Sequence, residues 1–358
     1  HPSVVVWSLG NETADGPNFT AAYQWIKSQD QSRPVHWERA GHGANTDIYC
    51  PMYLSHESSE RYAKDTKYNK PLIQCEYNHT MGNSGGGLKE YWDFIRKYPK
   101  YQGGYNWDFV DQALHRNPNF KANRSLADYE AIAAKYEAGT GNVPPAYTYG
   151  GDYNKTDASD NNFNCNGIIG PDRQLNPHAY DLAYCYQNIW AEPVDVKNGK
   201  ISVYNEYFFR DLSNYKLVWT LLCDGRKVQD GEVANLSVAP QQKTVLTLPY
   251  KVPATGEVML NIEFKLKEAE PLMEAWQTVA YRQLAVREVA PVLPAMQVEK
   301  TKIKLKDDKK GNAYYITSKN NIDIVFDKTT GLLTKYNVGG KSLLGEGGTL
   351  RPNFWRAA

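Results

Sequence analysis

At 358 residues the chain is longer than one ordinary domain, so two or three are expected. Its 41 Lys and Arg against 40 Asp and Glu, without a basic block, give no electrostatic reason to bind nucleic acid or an anionic membrane. No apolar stretch reaches the ~18 residues that span a bilayer. The 13% aromatic content, with 26 Tyr and 9 Trp, suits carbohydrate handling, because sugar C–H faces pack on aromatic rings, but large all-β domains share it.

The first segment, VVVWSLGNE (4–12), reads as a buried strand that ends on the carboxylate of Glu12. FTAAYQWIKSQ (19–29) follows, with Phe19, Ala22, Tyr23 and Ile26 at helical spacing. PVHWE (34–38), DIYCPMY (47–53), PLIQCEY (71–77) and YQGGYNWDFVD (101–111) read as strands, and GLKEYWDFIRKY (87–98) as an amphipathic helix. Apolar strands alternating with helices predict a parallel sheet with right-handed crossovers. Polar residues gather just past the strand ends, as in a (β/α)8 TIM barrel, seen here in part. A doubly wound sheet is the alternative, but no GxGxxG follows any strand.

Residues 112–190 are irregular, with helix-like SLADYEAIAAKYEA (125–138) and HAYDLAYCYQNI (178–189). Beyond about Pro193 the apolar period falls to two. KISVYNEYFF, KLVWTLLCDG, KTVLTLPY, EVMLNIEFKL and TVAYRQLAV are then short strands of an antiparallel, immunoglobulin-like sandwich. After the Pro-marked VAPVLPAM (289–296) come KTKIKL, AYYITS, IDIVFD and LLTKYNV, the start of a further sandwich. The expected domains are 1–190, 191–290 and 291–358. A strand pattern beginning four residues in, after HPSVV, reads as an excision from something longer.

Five cysteines without CxxC spacing, Cys50, Cys75, Cys165, Cys185 and Cys223, argue for reduced thiols. His36, Glu38 and His42 lie close in sequence, but no fourth ligand at zinc spacing follows. Asn11-Glu12-Thr13 and Asn78-His79-Thr80 match the glycosylation triplet, and both read as chance.

Two strands end on a glutamate in the same style, Glu12 and Glu76. Glycoside hydrolysis needs two carboxyls facing one bond, and strand-terminal glutamates across a barrel mouth can converge there. As residues alone, both could equally be solvated loop carboxylates.

HPSVVVWSLGNE, TDIYCPMY, PLIQCEYNHTMGNS and QGGYNWDFVDQ resemble the catalytic barrel of glycoside hydrolase family 2, and within it the large bacterial β-galactosidases. The resemblance covers nearly the whole chain. It implies strands four to eight of the barrel, an immunoglobulin-like domain and the opening of the last sandwich. It implies Glu12 as acid/base, Glu76 as nucleophile and retention of configuration, with Tyr53 beside the nucleophile. Asn11 would bond the sugar 2-hydroxyl, His79 would touch the sugar, and Trp107 would lie under the galactosyl ring. Phe163 through its carbonyl, and Asn166, would bind sodium and the 6-hydroxyl, with Asp160 nearby. Glu12 would be one ligand of a magnesium whose other ligands lie outside this sequence. The Asn117–Ala146 stretch departs from the pattern as a longer insertion. The resemblance further implies a β-galactoside substrate, a homo-oligomeric parent and an inactive isolated segment. Another family 2 activity, β-glucuronidase or β-mannosidase, and a non-catalytic carbohydrate-binding module are the alternatives.

Overall fold

A computed structural model describes residues 1–82, 84–115, 147–150, 163–290, 302–319 and 321–352, with Tyr153, Thr156 and Ala158. The helix-like stretch 125–138, the whole 117–146 insertion and Asp160 therefore lie outside the described residues. The chain divides into two compact units, one over residues 1–288 and one over 289–356.

The first unit opens with β1 (Trp7–Ser8), which lies parallel to β2 (Val35–His36) with Trp7 opposite Val35. The crossover runs through α1 (Pro17–Gln29), where Pro17 occupies a first-turn position that needs no N–H. The strand expected over 4–12 is thus only two residues long. β2 is its one neighbour among the described residues, and Val5 is 67% exposed. An apolar run without a second neighbour has nothing to be buried against.

The parallel array continues through residues 47–53, where Tyr49 bridges Leu72 and Met52 bridges Glu76. No continuous strand forms there, because Pro51 has no N–H to give to a ladder. β3 (Leu72–Tyr77) then pairs in parallel with β4 (Tyr101–Asn106). Two helices cover this pair. α2 (His56–Lys64) is capped by the Ser55 hydroxyl, which accepts from the Ser58 N–H at 3.2 Å. α3 (Leu88–Lys97) buries Leu88 and Tyr91. Past β4, Val110 makes one more parallel bridge, to Ile169. A short antiparallel pair, β5 (Leu114–His115) and β6 (Tyr147–Thr148), precedes α4 (Pro177–Tyr186). Tyr62, Leu72, Tyr77, Leu88, Tyr91, Tyr101 and Cys185 pack as one apolar cluster between strands and helices.

Seven antiparallel strands follow in two sheets. β7 (Ile189–Asp195), β8 (Lys200–Asn205) and β11 (Lys243–Thr247) form one, in the order β11-β8-β7. β9 (Tyr215–Cys223), β10 (Arg226–Val233), β12 (Val258–Leu266) and β13 (Thr278–Arg287) form the other, in the order β10-β9-β12-β13. Both sheets contribute to one core, including Ile201, Val203, Leu217, Leu221, Leu260 and Phe264. Each such fully buried side chain contributes about 1.5–3 kcal/mol relative to exposure. The β9–β10 reversal falls on Asp224-Gly225, both at positive φ, as a tight hairpin demands. The sequence pattern misses β7 and β10. β7 directly follows the α4 pattern, and β10, an edge strand of sequence RKVQDGEV, carries too few apolar residues to alternate.

Arg96 of α3 ties this sandwich to the helix that covers β3 and β4, donating to both carboxylate oxygens of Glu206 at 2.8 and 3.0 Å. The second unit is a five-stranded antiparallel meander: β14 (Ile303–Asp308), β15 (Ala313–Ser318), β16 (Ile322–Asp327), β17 (Leu333–Val338) and β18 (Lys341–Ser342).

Candidate active site

Glu76 is the fifth of the six residues of β3, and the strand fixes it from both sides in sequence. Gln74 is buried, donating to the Tyr101 hydroxyl at 2.6 Å and accepting from the Leu54 N–H at 2.7 Å. Tyr77 is also fully buried, its hydroxyl 2.6 Å from that of Tyr186. With both neighbours anchored on the helix side, Cys75 and Glu76 are left half-buried at the strand end. Tyr53 holds Glu76 twice: its N–H donates to the Glu76 carbonyl at 2.9 Å, and its hydroxyl donates to Oε2 at 2.5 Å.

Electrostatically the Glu76 carboxyl is pushed up from its ordinary pKa. Burial is the main cause, the Tyr53 hydrogen bond opposes it, and the charges of Glu12, Glu38 and Asp108 add to it. The Tyr53 phenol is in turn held far above its usual range by burial and by its bond to Glu76. A phenol this hard to ionise stays a donor throughout the physiological range.

Asn11 and Glu12 leave β1 on a sharp turn. Gly10 has φ of +150°, and a Cβ there would meet the Trp37 ring at 3.4 Å and Phe19 at 3.7 Å. Those two rings stack at 3.8 Å beneath the turn. Glu12 itself has φ of +46°, a conformation costly for a non-glycine residue, and its side chain is exposed. Asn11 and Glu76 line one cleft of about 390 Å³, together with Ser8, Gly10, His36, Cys75 and Tyr105. Glu12 is near enough for its charge to act on both Glu76 and Tyr53.

His79 links this cleft to the loop at 163–167. Its ring lies edge-on to Tyr53 at 5.7 Å and tilted against Phe163 at 6.2 Å. Burial lowers its pKa, so the imidazole is neutral at pH 7. Trp107 is held by its backbone: its N–H donates to the Tyr77 carbonyl and its carbonyl accepts from the Thr80 N–H, both at 3.1 Å. Its indole N–H is buried without a partner among the described residues.

Asn166 is buried and donates from Nδ2 to the Phe163 carbonyl at 2.7 Å, while its Oδ1 is buried with no partner among the described residues. An orphaned carboxamide oxygen beside a backbone carbonyl is a hard-oxygen set that suits sodium. Magnesium fits less well. Glu12 supplies one carboxylate, and no cluster of three His, Cys, Asp or Glu exists among the described residues. His36 and His42 diverge. His36 Nδ1 meets Cys50 Sγ at 2.9 Å, whereas His42 stacks on Tyr68 at 3.7 Å.

Several participants escaped the sequence reading. Glu38 acts on Glu76 through its charge and pairs with Arg39 at 3.0 Å. It closes PVHWE as Glu12 and Glu76 close their strands, which was the available signal. Asn78, at φ of +51°, donates to Asn106 at 2.6 Å, and Tyr105 forms part of the cleft wall. Neither stands out in a chain rich in Asn and Tyr.

Residues 1–191 match the model of the glycosyl hydrolases family 2 TIM barrel domain, more than half of the chain. The chain belongs to glycosyl hydrolase family 2. Residues 201–287 match a second family 2 module, β-galactosidase domain 4. A β-galactosidase of Priestia megaterium is 36% identical over 365 residues, covering 100% of this chain and 32% of that protein. β-Galactosidase 2 of Enterobacter cloacae is 36% identical over 79% of this chain and 26% of its own length. A Yersinia enterocolitica β-galactosidase is 32% identical over 100% of this chain and 33% of its own. The chain thus spans about a third of the length of the curated relatives it matches.

Proposed function

We propose that this chain carries both catalytic carboxylates of a retaining β-galactosidase. The observation that carries the reading is the Tyr53 hydroxyl on Glu76 Oε2 at 2.5 Å, in a cleft that Asn11 shares. A strand-end carboxylate oriented by a phenol that is hard to ionise has one oxygen tied and offers the other for attack.

Glu76 attacks the anomeric carbon while Glu12 gives its proton to the leaving oxygen. A glycosyl-enzyme forms on Glu76, and Glu12 then takes a proton from water, whose attack returns the sugar with its original configuration. Retention requires carboxyls about 5–5.5 Å apart. The Tyr53 hydrogen bond holds the Glu76 carboxylate in place before attack and stabilises its charge again as the glycosyl bond to Glu76 breaks. Asn11 bonds the 2-hydroxyl, a contact that strengthens at the transition state. His79, neutral, accepts from or donates to the sugar hydroxyls, and Trp107 forms the platform beneath the ring.

Sodium fits Asn166 Oδ1 and the Phe163 carbonyl, and when bound it would polarise and fix the sugar 6-hydroxyl. Glu12 would serve as one magnesium ligand, and no step is assigned to that ion.

The wider reading has strands four to eight of the barrel in 1–190, an immunoglobulin-like sandwich in 191–290 and part of a further sandwich in 291–358. The strand order β11-β8-β7 against β10-β9-β12-β13 supports the immunoglobulin-like assignment. Hydrolysis would then need the first three barrel strands and a homo-oligomeric parent, and this chain alone would be inactive.

The test is turnover of β-galactoside, β-glucuronide and β-mannoside substrates by a chain carrying all eight strands, followed by NMR of the first product. We expect the galactoside to be preferred and β-galactose to appear before its α anomer. Preference for another glycoside, binding without turnover, or α-galactose first would overturn the reading. Turnover by the 358-residue chain alone would remove the need for the other strands.

A further inference from the structure

Two thiols adjoin Glu76 that the hydrolytic steps above do not use. Cys75 lies on β3, and Cys50 lies on the neighbouring segment, where Tyr49 bridges Leu72 and Met52 bridges Glu76. Four steps along β3 therefore run beside three along its neighbour, and this irregularity brings Cys75 level with Cys50. Cys75 Sγ is 3.3 Å from the Cys50 carbonyl and 3.7 Å from that of Pro51. Cys75 Sγ thus lies against the backbone of Cys50 itself, close enough to act on the Cys50 thiol electrostatically. On its other side Cys50 Sγ meets His36 Nδ1 at 2.9 Å. Cys50 is only 2% exposed, whereas Cys75 and His36 both line the cleft and are open to a small solute.

We propose that Cys75 and Cys50 form a two-thiol oxidation site, in which a hydroperoxide entering the cleft joins them as a disulfide. Its three parts are an accessible sulfur, a buried resolving sulfur and a base. The Cys75 sulfur attacks the peroxide O–O bond and becomes a sulfenic acid, and hydrogen peroxide gives its other oxygen up as water. The Cys50 sulfur then attacks the sulfenic sulfur. Its proton moves through His36 Nδ1 to the departing oxygen, which leaves as the second water. Two thiols lose two electrons and two protons, and one peroxide becomes two waters, so the step balances.

The surroundings suit those roles. The adjoining Cys75 thiol, with burial, holds the Cys50 thiol well above its usual range, so Cys50 arrives protonated and needs a base. Burial keeps the His36 imidazole below its ordinary pKa, so it is neutral and able to accept that proton. Cys165 is exposed yet meets the Asn164 side chain at 3.5 Å rather than a second thiol, so it serves as an internal control. The proposal does not depend on Glu76 being the nucleophile, since its readout is the chemistry of sulfur.

The experiment is hydrogen peroxide treatment of the folded chain, then alkylation and peptide mass mapping without reduction. We expect the Cys50 and Cys75 peptides as one cross-linked species lighter by two hydrogens, separated again by dithiothreitol. In Cys50→Ser, Cys75 should advance to a sulfinic acid that dithiothreitol does not recover. In Cys75→Ser, Cys50 should stay alkylatable. Recovery of both as free thiols at a dose that oxidises Cys165 would overturn the proposal. So would a cross-link from Cys75 to any other cysteine.

Discussion

In β12 every second side chain from Val258 to Leu266 is buried, five in all, and the residues between them face outward. Along the end of β3 that order breaks. Register slips between Gln74 and Tyr77, and a carboxylate and a thiol are left half-buried beside it. The positive φ residues of the sandwich, such as Asp224, Gln241 and Leu272, sit in turns that reverse the chain. Around the cleft they are Glu12, Tyr53 and Asn78, just past or between parallel segments rather than in chain-reversing hairpins. Asn78, Trp107 and Asn166 also keep buried polar atoms without partners among the described residues. The sandwich has register slips and buried unpartnered polar atoms of its own, at Trp219, Arg282 and Arg287, but its strained residues sit in turns, whereas those of the cleft region gather beside the carboxylates. Such concentrated departures are expected where a fold positions chemistry.

If that contrast is right, substitutions should separate cleanly into losses of activity and losses of stability. Glu76→Gln, in a chain carrying all eight strands, should cost more than the ~10²–10⁴-fold expected for loss of an acid–base group. Its urea midpoint should stay near that of the parent, and a large fall would blur the contrast. Phe264→Ala empties a fully buried position of the sandwich core and should cost about 3–5 kcal/mol in urea unfolding. Such a loss without change in kcat per folded molecule would sharpen the division.

Tyr53→Phe should lower kcat/KM by an amount equivalent to about 1.5–3 kcal/mol, the range for a hydrogen bond to a charged group. It should also move the pH profile. The Tyr53 bond holds the Glu76 pKa down against burial and neighbouring charge, so removing it raises that pKa further. Since attack requires ionised Glu76, the acidic limb of kcat/KM should shift to higher pH. An unmoved limb would mean that Tyr53 does not act through Glu76. The smallest effect expected is that of Asn166→Ala on sodium. The concentration giving half-maximal activity should rise about 2–10-fold, equivalent to 0.5–1.5 kcal/mol.

Much of this was legible in the residues. Alternating apolar patterns gave away β8, β9, β12 and β13, because each strand has one dry and one wet face. The helices α1 and α3 were visible from their spacing, and the sequence singles out Glu12 and Glu76 as strand-end carboxylates, which the structure brings close enough for the charge of one to act on the other. The extent of β1 was not legible, since an apolar run reads as buried whether or not a second neighbour is there to cover it. Nor was the break at Pro51, which depends on where the ladder runs. The nearness of Cys75 to Cys50, and the reach of Glu38 to Glu76, come from register between strands. Register is a long-range property that no local pattern encodes.

The most direct test of the central claim is to trap the intermediate. A 2-deoxy-2-fluoro-galactoside with a good leaving group should form its glycosyl-enzyme faster than water can break it down. Peptide mass mapping of a chain carrying all eight strands should then find one sugar, on Glu76. A sugar on any other side chain, or none while turnover continues, would contradict the account.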